Sequence, residues 1–335
     1  MTMSVFFDAR LAVRGLGIAS ATERLLEALV SRGDMSVVLN ASAHGWTRRG
    51  KAETLLRSGL LDVSPRLDPR AARADVVHFF GNTAPRRPDG RTVVTVHDLM
   101  MLSSTSPRSK LFRELLVPGL GRQTGPVVAI SSRTADALWA KCGIGPDRVT
   151  VIPHGRRVRE LPAGPREHIL MFGGSSDSRK RVSLGIAAYA QYAGTAGKRA
   201  FPLVVAGRSG ISAEDLSVAR AANVRVVPNP DRDEVDRLMA RAACLIYPSA
   251  QEGYGLPILE AGEVGTPVVL DATADIPREP RGAHVTSVEG PDLRLWGDAV
   301  GRAANRGTVV GAVGLIPTWE EVAQLYFDVY ATVER

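Results

Sequence analysis

Eleven apolar runs of strand length, most of them β-branched, recur along this chain and set what it can fold into. In the first half they fall at residues 4–9, 35–40, 75–80, 91–98, 126–131 and 149–155. Helical stretches separate them, among them SATERLLEALVSRG and SSRTADALWAKCG, the latter opening on serines suited to capping. Strands that alternate with helices need crossover connections, so the expected sheets are parallel. The pattern breaks at RRVRELPAGPREH (156–168), where two prolines and a glycine interrupt any periodicity, and then restarts. Runs at 168–174, 202–207, 224–229, 243–249 and 266–271 alternate with helices expected near 180–196, 213–222, 232–242 and 256–264. After Pro317 the closing segment is amphipathic, with apolar residues at 322, 325, 326 and 329. The expectation is an α/β chain with two Rossmann-like domains facing a cleft. Residues 1–160 and 161–316 form the domains, and 317–335 a terminal helix. At 335 residues the chain is long enough for a core in each. Ligands of such sheets bind beyond the carboxyl ends of the strands.

Charge narrows the partners. The net charge is +7, yet residues 1–160 carry 24 Lys and Arg against 14 Asp and Glu, and the remainder 18 against 21. The basic first half fits an anionic membrane surface, an anionic substrate or simple solubility. Its arginines are scattered, with no interleaved aromatics and no nucleic-acid motif, so no nucleic-acid partner is expected. No apolar run approaches the ~18–20 residues of a membrane span. The N-terminus MTMSVFFDAR lacks the features of a secretory signal. Cys142 and Cys244 lack CxxC spacing, so reduced thiols in a cytoplasmic protein are expected.

The segment RGLGIAS (14–20) contains Gly15 and Gly17 in a near match to a dinucleotide fingerprint. That fingerprint needs its first glycine directly after the strand and an acidic residue ending the next strand. Here five residues separate Arg10 from Gly15, counting Arg10 itself, and the second run ends in Asn40. A nicotinamide-dependent oxidoreductase is therefore disfavoured. The remaining reading is a turn before the first helix, with both glycines supplying positive φ.

Chemistry concentrates in PSAQEGYGLPILEAGEVGTPVV (248–269). Glu252 stands at a strand-to-helix junction, followed by Gly253, Tyr254, Gly255 and Leu256, and Glu260 lies further along the helix. Pro257 in the first helical turn leaves backbone N–H groups around Gly255 and Leu256 facing outward, which suits a phosphate. Glu252 is placed to reach a hydroxylated group and Glu260 a ribose. A lone Glu on a helix is ordinarily solvated, but Glu260 sits inside the apolar run LPILEA and needs a partner there. Asp231-Arg232-Asp233 is a DxD, a metal signature elsewhere, but ahead of EVDRLMARAA it reads as helix capping.

The string EGYGLPILEA, with two glutamates eight apart, resembles the E-x7-E motif of the family-four retaining glycosyltransferases of the GT-B fold. DAR with the glycine turn at 8–17, VHDL (96–99), AISS (129–132) and VIPHG (151–155) are similar to that family as well. So are FGG with RK (172–180, including Gly174), VVAG (204–207) and the closing TWEEVA. The resemblance implies transfer of a sugar from a nucleotide donor to an acceptor hydroxyl, with retention and without a metal or other cofactor. It places the acceptor on the first domain, the donor on the second, and the terminal helix back on the first. Arg179 and Lys180 would then hold the donor diphosphate together with the helix N-terminus. Cations at a helix start run against the helix dipole, which favours a functional reading of the pair. His97 would contact the sugar, with His78 and Asp98 on the acceptor side, although a single histidine at a strand end is often a core residue. His154 would shape the interdomain junction.

No pair of carboxylates suits double displacement, so front-face substitution is expected, the leaving phosphate taking the acceptor's proton. The R-K motif leans towards a hexose such as mannose carried on GDP, with UDP- and dTDP-sugars next. The acceptor classes are a nascent glycan, a lipid-linked acceptor at the inner membrane face, or a small molecule. The segment 45–61 reads as a surface helix or a membrane contact. The resemblance also places Gly15, Gly17 and Gly174 on the donor, but the chain departs from the family at Ala19 and Ser20, where a glycine and an arginine are usual. Arg181 and Gly262 stand where Asn and Met are frequent, away from the expected chemistry. A catalytically inactive sugar-nucleotide-binding scaffold is the non-enzymatic alternative.

Overall fold

The computed structural model describes residues 2–8, 16–40, 61–64, 73–80, 89–103, 117–160, 164–173, 178–207 and 224–333. The chain divides into two compact units, Met1–Gly155 with Pro317–Arg335, and Arg156–Ile316. The first break falls at Gly155, five residues before the expected one, because Gly155 still packs against Trp319. A Cβ on Gly155 would meet the Trp319 backbone at 2.7 Å.

In the first unit seven parallel strands take the order β3-β2-β1-β4-β5-β6-β7. They are β1 (Met3–Asp8), β2 (Met35–Asn40), β3 (Leu61–Ser64), β4 (Val76–Phe80), β5 (Thr92–Val96), β6 (Val127–Ala129) and β7 (Val149–Val151). Register runs straight from Met3 opposite Met35 to Asp8 opposite Asn40. Helix α1 (Leu16–Ser31) buries Leu25, Leu26 and Leu29 against Val5 and Phe7 of β1 and Val37 and Leu39 of β2. Each such residue contributes ~1.5–3 kcal/mol by leaving water. Helix α2 (Ser132–Cys142) starts as expected, the Ser131 hydroxyl accepting from the Thr134 N–H at 3.1 Å. β3 was not expected, since a four-residue edge strand carries too little pattern to stand out.

The chain's last helix, here α7 (Trp319–Ala331), belongs to this unit. Thr318 and Glu321 form a reciprocal capping box at its start. Trp319, Val322, Tyr326, Val329 and Tyr330 enter the α1–β1 core, whereas Leu325 is exposed, contrary to its place in the expected apolar stripe. The inward stripe is carried by 319, 322, 326, 329 and 330, and Leu325 falls outside its arc.

The second unit is a six-stranded parallel sheet in the order β10-β9-β8-β11-β12-β13. The strands are β8 (His168–Phe172), β9 (Leu203–Gly207), β10 (Val224–Pro228), β11 (Ala242–Tyr247), β12 (Val268–Asp271) and β13 (Val285–Val288). Helices α3 (Val182–Ala196) and α6 (Leu293–Asn305) cover the face bearing Ile169, Met171, Cys244 and Ile246. Helices α4 (Arg232–Arg241) and α5 (Leu256–Glu263) cover the face bearing Leu170, Leu245 and Tyr247. Coverage on both faces explains why β11 is apolar without alternation. α6 and β13 were not expected. α6 holds Gly297 and Gly301, poor helix formers, but a Cβ on Gly297 would meet Gln191 Cβ of α3 at 2.8 Å. Tertiary packing demands the residue that local propensity disfavours.

Candidate active site

Three neighbouring strands of the second unit, β8, β11 and β12, end on the same side, and their loops carry the candidate residues. Beyond β8 a short 3₁₀ turn, Ser178–Lys180, presents Arg179 and Lys180 and leads into α3. Beyond β11 the segment 248–255 leads into α5. These two segments are sewn together through the backbone: the Ala250 N–H donates to the Arg179 carbonyl at 2.8 Å. On its other side the same loop pairs with the segment after β12. The Asp275 N–H donates to the Ala250 carbonyl at 2.8 Å, and the Glu252 N–H to the Asp275 carbonyl at 3.1 Å.

That framework brings Lys180 and Glu252 into an ion pair, Nζ to Oε1, at 2.6 Å. Both are partly sheltered, with side chains 24% and 14% exposed. Lys180 Nζ also lies 5.4 Å from the ring centre of the buried Tyr247. Burial, and then the Glu252 carboxylate, push the Tyr247 hydroxyl well above its ordinary pKa, so it stays a neutral group at physiological pH.

Gly253 and Tyr254 complete the loop, Tyr254 being buried. Gly255 forms the N-cap of α5 at φ 94°, a left-handed conformation that favours glycine, and gives the helix no side-chain cap. Leu256 and Pro257 open the helix as expected, the Ile258 N–H donating to the Gly255 carbonyl at 2.8 Å, and the helix start carries the positive end of its dipole. A cation, a carboxylate and an uncapped helix start thus share one side of the sheet. Such a set can neutralise and hydrogen-bond a diphosphate.

Glu260 is 6% exposed, and its partner is Arg232, whose Nη1 donates to Oε1 at 2.8 Å. The carboxylate buried in LPILEA therefore has its countercharge in the DxD. Asp231 caps α4, accepting from the Glu234 N–H at 2.7 Å, as the sequence indicates. Arg181, which sequence reasoning set apart from the chemistry, anchors the turn that carries Arg179 and Lys180. It sits at φ 44° and donates to the Pro248 carbonyl at 2.6 Å and to Asp271 Oδ2 at 2.7 Å. Its left-handed backbone explains why an Asn would suit the position. Nothing in the sequence signals that tie, since Asp271 lies 90 residues away.

In the first unit the expected site histidines are core residues to different degrees. His78 is fully buried in mid-strand, Nδ1 at 2.7 Å from the Tyr330 hydroxyl and Nε2 at 2.8 Å from Thr95 Oγ1. Both ring nitrogens are engaged inside the core, which corrects its reading as an acceptor contact. Burial holds its pKa down to about 3. His97 follows β5 as expected, but it is 2% exposed, edge-on to Phe80 and 5.4 Å from the His154 ring. Burial depresses its pKa to about 3, so at neutral pH it offers a neutral imidazole and no charge. His154 is buried beside Trp319, their ring centres 5.8 Å apart, and burial again lowers its pKa. Asp98 Oδ1 accepts from the Met100 N–H at 3.0 Å and so caps the next turn.

Gly17 lies inside α1 with helical backbone, so it is no positive-φ turn residue. The helix begins at Leu16, earlier than the glycine pattern suggests. Gly15, Gly174, most of the segment 45–61 and the helix expected at 213–222 lie outside the described residues.

Two parallel Rossmann-like units, with the last helix returned to the first, define the GT-B class of fold. Solved structures agree on this. A glycosyltransferase from Rickettsia africae ESF-5 matches at TM-score 0.67 and 12% identity, over 98% of both chains. Sucrose-phosphate synthase from Thermosynechococcus elongatus matches at TM-score 0.66 and 16% identity, over 98% of this chain and 99% of its own. At such identities the likeness speaks for the fold.

The family follows from the sequence. Residues 17–159 match the profile Glycosyltransferase Family 4, and residues 118–274 match Family 4 Glycosyltransferase in conflict systems. Together the two matches span residues 17–274, and they mark the chain as of the glycosyltransferase family 4 type. A curated relative, D-inositol 3-phosphate glycosyltransferase of Acidothermus cellulolyticus, is 27% identical over 276 residues, covering 70% of this chain. The chain spans 60% of that relative's length. No helix among the described residues is long and apolar enough to cross a membrane.

Proposed function

We propose that this chain transfers a sugar from a nucleotide donor to an acceptor hydroxyl, with retention at the anomeric carbon and without a metal. The observation that carries the reading is the Lys180–Glu252 pair at 2.6 Å, held next to the uncapped start of α5. Lys180, Arg179 and the N–H groups near Gly255 and Leu256 bind the donor diphosphate and stabilise the charge that grows on it as the glycosidic bond breaks. On diphosphate binding Lys180 shares its charge between phosphate and Glu252, whose carboxylate orients a sugar hydroxyl. Glu260 accepts from the ribose. The leaving phosphate takes the proton of the attacking hydroxyl, so no separate base is required. His97, neutral and largely buried, contributes a hydrogen bond towards the sugar and does not move the proton. Asp98 stays on the acceptor side.

For the donor, a GDP-hexose such as GDP-mannose is tested first, then UDP- and dTDP-sugars. For the acceptor, the name of the curated relative adds a phosphorylated cyclitol to the glycan, lipid-linked and small-molecule classes. The basic first half, 24 Lys and Arg against 14 acidic residues through position 160, suits any acceptor bearing phosphate. The same charge suits a chain working in the cytoplasm against an anionic membrane face.

The deciding experiment measures nucleoside diphosphate release from a panel of nucleotide-sugars and acceptors. Release that depends on both substrates, abolished in Lys180→Ala, supports transfer. Thermal protection by a nucleoside diphosphate without any release, across the panel, would leave a binding scaffold. Protection by NAD(P) alone would overturn the reading altogether.

A further inference from the structure

Arg232 is not required by the helix it opens. Asp231 already caps α4, and a cation in the first turn of a helix is disfavoured by the helix dipole. Its side chain turns instead towards α5, where Nη1 meets Glu260 Oε1 at 2.8 Å, while Nη2 meets Asp236 Oδ1 at 2.7 Å. Asp236 is fixed in turn by Arg157, at 3.1 Å, and by Arg159. Both arginines also pair with the fully buried side chain of Glu263, three residues beyond Glu260 on α5. The guanidinium of Arg232 is therefore braced from behind by Asp236 and faces Glu260 in front. Burial alone would lower its pKa, but Glu260 and Asp236 together outweigh that and raise it, so the charge is permanent.

We propose that Arg232 is a positioning residue that fixes the Glu260 carboxylate for a ribose hydroxyl and thereby sets a preference for ribonucleotide over deoxyribonucleotide donors. The proposal rests on the donor-site reading given above. Glu260 has a 7% exposed side chain, and a carboxylate so buried keeps its charge only beside a cation. One ion pair does not exhaust a carboxylate, which offers about four acceptor sites. With Nη2 engaged by Asp236 and Nη1 by Glu260, the guanidinium fixes where the carboxylate sits, and a hydroxyl arriving at a preoriented acceptor loses less in ordering it. Without Arg232 the carboxylate loses the cation that holds it in that position, and recognition of the hydroxyl weakens.

The test is calorimetric titration of the full chain with GDP, UDP and ADP and their 2′-deoxy and 3′-deoxy counterparts. The expected result is that wild type binds one ribonucleotide about 10-fold more tightly than the analogue lacking the recognised hydroxyl. In Arg232→Met and Arg232→Gln that ratio falls below about 3-fold, the loss falling on the ribonucleotide. Arg232→Lys restores part of it, and Glu260→Gln removes it whether or not Arg232 is present. Thermal melts accompany each variant, and if the Met and Gln variants do not fold, the Lys variant decides by its ratio. An unchanged ratio in variants that weaken every nucleotide equally is the result that overturns the proposal, because it marks a merely structural role. A wild type without discrimination overturns it too, yet leaves the donor site standing. Absence of any nucleoside diphosphate binding to wild type overturns the donor site and this inference together.

Discussion

A histidine cluster in the first unit and a set of carboxylates in the second bury their titratable groups in different ways. In the first unit three imidazoles, His78, His97 and His154, are buried among Phe7, Phe80, Tyr326, Tyr330 and Trp319. Burial drives the pKa values of all three down. In the second unit buried or half-buried carboxylates each meet a cation: Glu252 with Lys180, Glu260 with Arg232, Glu263 with Arg157, and Asp271 with Arg181. Burial without countercharge silences a group, whereas burial with countercharge keeps its charge in place. Charged chemistry should thus come from the second unit.

The largest expected effect tests the charged side of that contrast. Lys180→Ala should lower kcat/KM by ~10²–10³-fold, the range for removing one donor that stabilises a developing anion. Steady-state release of nucleoside diphosphate measures it, and a loss no greater than that of Asp231→Ala would place the chemistry elsewhere. Next comes Glu263→Gln, which removes the buried countercharge and leaves Arg157 and Arg159 with Asp236 beside a neutral, fully buried side chain. Breaking such a pair costs about 3 kcal/mol, read as a lowered urea midpoint of the second unit.

Acid tests the silent side. In the folded chain His78 and His97 titrate near 3, whereas unfolded histidine titrates near 6.5. Between these values the unfolded state holds more protons. Stability of the first unit is therefore full above pH 6.5 and falls as pH drops towards 3, by up to ~1.4 kcal/mol per pH unit for each histidine. Denaturation midpoints between pH 6.5 and 5 should show this slope, and His78→Gln should flatten it. An unchanged slope in that variant would mean the ring is hydrated in solution. The smallest effect belongs to the cap: Asp231→Ala should cost ~1 kcal/mol of stability, seen as a modest drop in Tm.

Much of this was open to reading in one dimension. Strand runs such as VVHFF and AACLIY, the Ser131 and Asp231 caps and the Gly255–Leu256 start of α5 all rest on local rules, and each is found where those rules put it. What escaped is equally specific. α6 carries glycines whose purpose is the close approach of α3. Leu325 fits the spacing of an apolar stripe but not its inward arc. His78 is indistinguishable in sequence from a ligand-facing strand-end histidine until Tyr330, 252 residues away, closes on it.

The sequence by itself determined the alternation that forces parallel sheets, the loops after β8 and β11 that hold Arg179, Lys180 and Glu252, and the helix that carries Glu260. These follow from period, propensity and turn chemistry acting over a few residues. Only the tertiary structure decided which charges neutralise which. Arg232 reached Glu260, Arg181 reached Asp271, and the three histidines went into an apolar core. The reason is that desolvation and ion pairing depend on distances between elements remote in the chain, and those distances do not exist until both sheets are built.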